Sequence, residues 1–198
     1  MLNLPNILSL GRIFVIPFLV LVFYLPVVWA HTAAAIIFSL ACITDWLDGY
    51  LARSLKQATK FGAFLDPVAD KMMVSIALVM IAAEQQFQVL TWHSSPHIIP
   101  AFVITLPAAI IVSREVIVSA LREWMSEVGK RTSVAVSHLG KIKTTVQMIA
   151  LTILLYCSPA THPFFLILGY ITLYIAAVLT IWTMVIYLKT SWPEFKID

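Results

Sequence analysis

Charged residues are scarce in this chain. Asp, Glu, Lys and Arg make up 12% of its 198 residues, against about 25% in an average soluble domain. Hydrophobic residues make up 61%, and the mean hydropathy is +0.93. A chain with so little polar surface cannot wrap its apolar residues in a soluble fold, so a soluble domain is excluded. Cysteine is nearly absent too. Cys42 and Cys157 both lie in apolar runs, which excludes a disulfide framework and suits small buried residues. No His and Cys cluster has zinc spacing. Internal repeats, low-complexity tracts and polar linkers are also missing, so residues 1–198 are expected to form one domain.

Acidic residues number only ten, yet four of them fall in one short stretch. It reads D-W-L-D-G-Y-L-A-R, eight spacer residues, then G-A-F-L-D-P-V-A-D. Asp45 and Asp48 are three apart, and Asp66 and Asp70 four apart. On helices, each pair shares one face. Two such faces turned together would crowd four carboxylates, and only protons or metal cations could relieve the repulsion. Oxygen ligands without His or Cys favour magnesium, manganese or calcium over zinc. Ionisable groups in membrane-embedded helices are costly, and mark a functional site by default.

The apolar runs set the architecture. Residues 1–12 mix Asn3, Pro5, Asn6, Ser9 and Arg12 with leucines, and read as a short interfacial segment leading into a helix. Residues 13–30 are an uncharged run of 18, about enough to span a bilayer. A cleaved signal peptide does not fit, because the preceding basic region is thin and further spans follow. Thr32 to Thr44 gives only 13 apolar residues, about 20 Å of helix against a core of about 30 Å. Residues 72–83 and 98–112 are short in the same way. Each is expected to cross as part of a longer helix, with its charged end at one membrane face. Residues 144–161 and 163–188 complete a count of six spans in an all-α membrane protein.

Basic residues fix the orientation. All 13 Lys and Arg fall on one side or on helix ends pointing there, whereas the connections near 31, 84–97 and 158–162 hold none. Both termini and the aspartates are therefore expected to be cytoplasmic. Net charge is +3; without the four motif aspartates, 13 basic residues face 6 acidic ones, leaving +7. That excess suits anionic lipids and phosphorylated substrates. No feature points to nucleic acid.

The string Asp45-x-x-Asp48-Gly49-x-x-Ala52-Arg53-x8-Gly62-x-x-x-Asp66-x-x-x-Asp70 resembles the complete signature of the CDP-alcohol phosphotransferases. All eight fixed residues over 26 positions are present. Likeness to bacterial members of that family extends through N-L-P-N-I-L-S-L-G-R, F-L-D-P-V-A-D-K, S-R-E-V-I-V-S-A-L-R-E-W and G-K-I-K-T. The resemblance implies the family's membrane fold with six spans, a homodimer, and a place in the bacterial inner membrane. It implies that Asp45, Asp48, Asp66 and Asp70 hold two magnesium or manganese ions, with Asp70 the general base. It also implies CDP-diacylglycerol and glycerol 3-phosphate as substrates, and phosphatidylglycerophosphate and CMP as products. No paired nucleophile and base stands out, which is compatible with direct displacement.

Beside that resemblance, individual residues carry their own readings. Gly49, Ala52 and Gly62 lack bulk; they would let a nucleotide approach the backbone (by the resemblance, that of CDP-diacylglycerol), or let helices pack closely, or both. Arg53 suits a nucleotide phosphate as a bidentate donor, or snorkels to the interface. Ser9 and Arg12 are in reach of the nucleotide side. Arg114 and Glu115 close an apolar run and are expected to pair, while Arg114 and Arg122, eight apart, lie on similar sides of one helix. With Lys141 and Lys143 they read as a pocket for a second, phosphorylated substrate, which the resemblance implies is glycerol 3-phosphate, or as ordinary positive-inside residues. Two other functions stay open: the same chemistry on another acceptor, such as serine or inositol phosphate, and divalent-cation transport. A free amino acid would not use the second basic group. A permeation site belongs near the bilayer midplane, whereas the short runs put the aspartates toward one face.

Overall fold

The structure, a computed structural model, describes residues 4–54, 59–92, 95–127 and 138–192; the side chains of Asp48, Gly49, Ala52 and Arg53 lie outside the described residues. Within them run the helices α1 (Leu4–Phe23), α2 (Ala30–Ser54), α3 (Lys60–Ala83), α4 (Phe102–Glu127), α5 (His138–Tyr156) and α6 (Pro163–Ser191). Three stretches are long and apolar enough to cross a membrane: Asn6–Phe23, Phe102–Glu127 and Pro163–Ser191. The apolar part of α2, Ala30–Asp45, is shorter.

The under-length runs are halves of full-length helices. α2 does not stop at Thr44 but carries the aspartate motif on to Ser54, 25 residues in all, or about 37 Å. In α3 the apolar run is the second half, and Asp66 and Asp70 sit in the first. α4 continues past Arg114 to Glu127. Charge therefore sits on continuous helix, where every backbone group is satisfied along the axis.

Two parts differ from the sequence-based expectation. Residues 4–12 are not a separate interfacial segment; they are the first turns of α1. Asn6, Ser9 and Arg12 recur every third residue, share a helix face, and are buried. The connection after α3 is not helical. A 3-10 turn (Gln85–Gln88) leads into an antiparallel hairpin, β1 (Val89–Trp92) and β2 (Ser95–Ile98), with Val89 opposite Ile98. Val89, Thr91 and Trp92 have the branched or aromatic side chains that favour strand. Ile99 N donates to Gln88 O at 2.7 Å, and the Tyr170 hydroxyl donates to Phe87 O, tying the hairpin to α6.

Each helix touches the next in the order α1, α2, α5, α6, α4, α3 and back to α1, and α3 also meets α5 across the ring. Leu19, Phe38, Ile81, Ile104, Leu151 and Leu154 are buried where these faces meet, with Ala34, Ala77, Ala150 and Ala176 keeping backbones close. At Gly169 the fit is tight, for a Cβ there would stand 2.6 Å from Leu154 Cδ2. The polarity is inverted relative to a soluble fold. Phe14, Leu21, Phe64, Val79, Val116 and Val178 face outward, while Arg12, Arg114, Lys143, Gln147 and Thr183 are buried. So much exposed apolar surface needs a lipid solvent.

Candidate active site

Asp45 on α2 and Asp66 and Asp70 on α3 line one cavity of about 690 Å³. Asp66 and Asp70 stand one turn apart on the same face. Between Asp45 and Asp66 lies Arg12, only 3% exposed. Its Nη2 donates to Asp66 Oδ1 at 2.6 Å, and its Nη1 donates to Asp45 Oδ1. Ser9 Oγ adds a bond to Asp66 Oδ1 at 3.1 Å. Sequence had put Ser9 and Arg12 only within reach of the site. In the structure Arg12 is the bridge between the two halves of the signature.

The start of α3 explains one signature glycine. Thr59 caps the helix by accepting from Gly62 N at 3.0 Å, and Asn6 Nδ2 donates to the same hydroxyl at 3.0 Å. A Cβ on Gly62 would collide with Asn6 Oδ1 and stand 3.2 Å from Thr59 Oγ1. Gly62 therefore packs α3 against α1. Asp48, Gly49, Ala52 and Arg53 lie on the backbone of α2, with their side chains outside the described residues.

Among the described residues, no group of three or more His, Cys, Asp or Glu side chains is gathered closely enough to hold a metal ion. The donor chemistry of the aspartates nonetheless fits a hard divalent cation: Asp45, Asp66 and Asp70 line one cavity, and each offers only oxygen. Arg12 supplies positive charge between two of them, where an uncompensated carboxylate pair would be costly.

The cavity also carries basic residues, with the carboxylate of Glu115 among them. Arg114 and Arg122 of α4, Lys141 of α5 and Lys71 of α3 line the same cavity, together with Tyr187 of α6. Arg114 pairs with Glu115 as expected, Nη1 to Oε1 at 3.2 Å, and its Nη2 donates to Thr183 Oγ1 at 3.3 Å. Arg122 Nη2 donates to the Tyr187 hydroxyl at 3.0 Å. The Tyr187 ring centre lies 5.2 Å from the Arg122 guanidinium carbon and 5.8 Å from that of Arg114, so one ring joins both arginines. The Nε groups of Arg114 and Arg122 are buried without an acceptor among the described residues.

Lys143 differs from its neighbour. It is 0% exposed, donates to Glu115 Oε1, and does not line the cavity. Two residues apart on a helix point to nearly opposite sides, so Lys141 reaches the cavity and Lys143 stands behind its wall, neutralising Glu115. Lys71, Thr183 and Tyr187 were missed by sequence reasoning. Lys71 follows Asp70 directly, and Thr183 and Tyr187 are four apart on an otherwise oily helix, which was the available signal. Lys71 Nζ donates to Ser119 Oγ on α4. The cavity thus combines cation-seeking carboxylates with anion-seeking basic groups.

The sequence profile of the CDP-alcohol phosphatidyltransferase family matches residues 2–182. The chain is 53% identical over 193 residues to the CDP-diacylglycerol--glycerol-3-phosphate 3-phosphatidyltransferase of Yersinia enterocolitica, covering 98% of this chain and 97% of that one. It is 53% identical over 191 residues to the enzyme of the same name from Pectobacterium atrosepticum, and 50% identical over 189 to that from Escherichia coli K12, each covering 96% of this chain and 94% of the relative. With the full signature present and matches running nearly end to end, this chain belongs to the CDP-alcohol phosphatidyltransferase family.

Proposed function

We propose that this protein transfers the phosphatidyl group of CDP-diacylglycerol to the primary hydroxyl of sn-glycerol 3-phosphate, giving phosphatidylglycerophosphate and CMP. One observation carries the reading beyond the relatives' names. A single cavity is lined by Asp45, Asp66 and Asp70 and also by Arg114, Arg122 and Lys141. A diphosphate donor and a phosphorylated acceptor need those two sets of groups within reach of each other. Serine would leave the basic set without a partner.

In this reading Asp45, Asp48, Asp66 and Asp70 hold two divalent cations, Mg²⁺ or Mn²⁺. Bound there, such ions neutralise charge on the diphosphate and on the leaving CMP. Gly49, Ala52 and Arg53 serve the nucleotide end, with Gly62 acting through its fit against α1. Arg114, Arg122 and Lys141 orient the acceptor by its phosphate, and Lys143 holds Glu115 behind them. Asp70 takes the proton from the primary hydroxyl. The hydroxyl oxygen then attacks the phosphorus bearing diacylglycerol, and the bond from that phosphorus to CMP breaks.

The same reading makes residues 1–198 one membrane domain of six spans, working as a homodimer in the bacterial inner membrane. Outward-facing Ile36 and Leu40 on α2, Phe64 and Val79 on α3 and Ile149 on α5 support the three spans that composition alone leaves out. The distribution of Lys and Arg supports cytoplasmic termini and a cytoplasmic site. The test is CMP release by purified protein in detergent, with CDP-diacylglycerol, glycerol 3-phosphate and Mg²⁺ omitted in turn. Release should require all three and vanish with a chelator. Release with serine instead would overturn the acceptor, and release with no alcohol would overturn the reaction.

A further inference from the structure

We infer that Thr183 and Tyr187 of α6 are positioning residues that hold the two cavity arginines as an anion clamp and so select a phosphorylated acceptor; this rests on the function proposed above. Arg114 and Arg122 are eight residues apart on α4, a rise of about 12 Å. Long arginine side chains facing a cavity that three aspartates also line have two easy alternatives. They can collapse across the cavity or extend toward the membrane interface. Either would leave the acceptor phosphate without a fork to bind.

One face of α6 prevents both. Thr183 and Tyr187 are four apart on that helix, and both are buried. The Thr183 hydroxyl donates to Thr180 O at 3.0 Å, which turns its oxygen toward Arg114 Nη2. The Tyr187 hydroxyl accepts from Arg122, and its ring lies against both guanidinium groups. A tyrosine neutralises nothing, so it fixes the arginines without consuming their charge, unlike Glu115 beside them.

The test is steady-state CMP release by Tyr187→Phe and Thr183→Val, each removing one oxygen, with both substrates varied. Tyr187→Phe should raise KM for glycerol 3-phosphate about tenfold, as expected for a lost hydrogen bond to a charged group, with kcat and KM for CDP-diacylglycerol within about twofold. Thr183→Val should move the same constant in the same direction. Preference for glycerol 3-phosphate over glycerol, which lacks the phosphate, should fall in parallel. Unchanged constants, or equal losses for both substrates, would overturn the clamp. If the unsubstituted protein releases no CMP with glycerol 3-phosphate, the functional reading fails and takes the clamp with it. Activity in the unsubstituted protein with unaltered variants sinks the clamp alone.

Discussion

At the scale of single residues, Asp70 and Arg12 lead to two different predictions. Asp70 faces the cavity one turn beyond Asp66. On the function proposed above, losing its carboxylate removes both a base and a cation ligand. Asp70→Asn should therefore lower kcat by at least about 10²-fold, the lower range for a positioned general base, measured as CMP release at saturating substrates. An effect on KM alone would reassign Asp70 to binding. Arg12 is a structural cation first. It is buried while its partners Asp45 and Asp66 are partly exposed, so the loss on Arg12→Gln should be moderated by solvent, about 1–3 kcal/mol. Without the guanidinium, the carboxylates depend more on added cation. Thermal unfolding in detergent should show a larger rise on adding Mg²⁺ for Arg12→Gln than for the natural protein. An equal rise in both would mean that Arg12 and the cation act on separate groups.

At the scale of elements, the helices are organised by close approach. The contact of α5 with α6 is tight because Gly169 leaves Leu154 its space. Gly169→Ala should lower stability by about 1–3 kcal/mol, the usual cost of overpacking a filled interface. Gly11 is the control: it also lies in a helix, and nothing stands within 4 Å of a Cβ there. Gly11→Ala should leave the unfolding temperature unchanged or raise it, since Ala is the better helix former. A similar fall for both would mean that the helix contact is not what Gly169 protects. The polar face of α1 and the cap of α3 depend on each other in the same way, through Asn6, Thr59 and Gly62.

For the whole molecule, the prediction concerns which side faces which compartment. His97 on the hairpin and Lys189 near the end of α6 are both exposed. In a background with Cys42 and Cys157 replaced by Ala, His97→Cys should react with a membrane-impermeant thiol reagent on intact spheroplasts. Lys189→Cys should react only after the membrane is opened. The opposite pattern would invert the orientation drawn from Lys and Arg. Ring closure by α1 and α3 is also a whole-molecule property: it brings the first helix to the aspartates of α2 and α3.

Sequence by itself determined the solvent, the rough helix count and the helix faces that carry Asp45, Asp66 and Asp70. Those follow from quantities that are local along the chain: hydropathy over windows the length of a bilayer, and carboxylates at spacings of three and four on one helix. The pairing of Arg114 with Glu115 was legible for the same reason. Sequence did not determine that residues 4–12 belong to α1, because the partners of Asn6, Ser9 and Arg12 are more than fifty residues away on α3 or on another helix, α2. Nor did it separate Lys141 from Lys143, or bring Thr183 and Tyr187 to the arginines of α4. Those depend on which face of one helix meets which face of another, and a face has no meaning until the helices pack. The hairpin at Val89–Ile98 was hidden for a related reason. A stretch that short takes its conformation from what it docks on, here α6 through Tyr170.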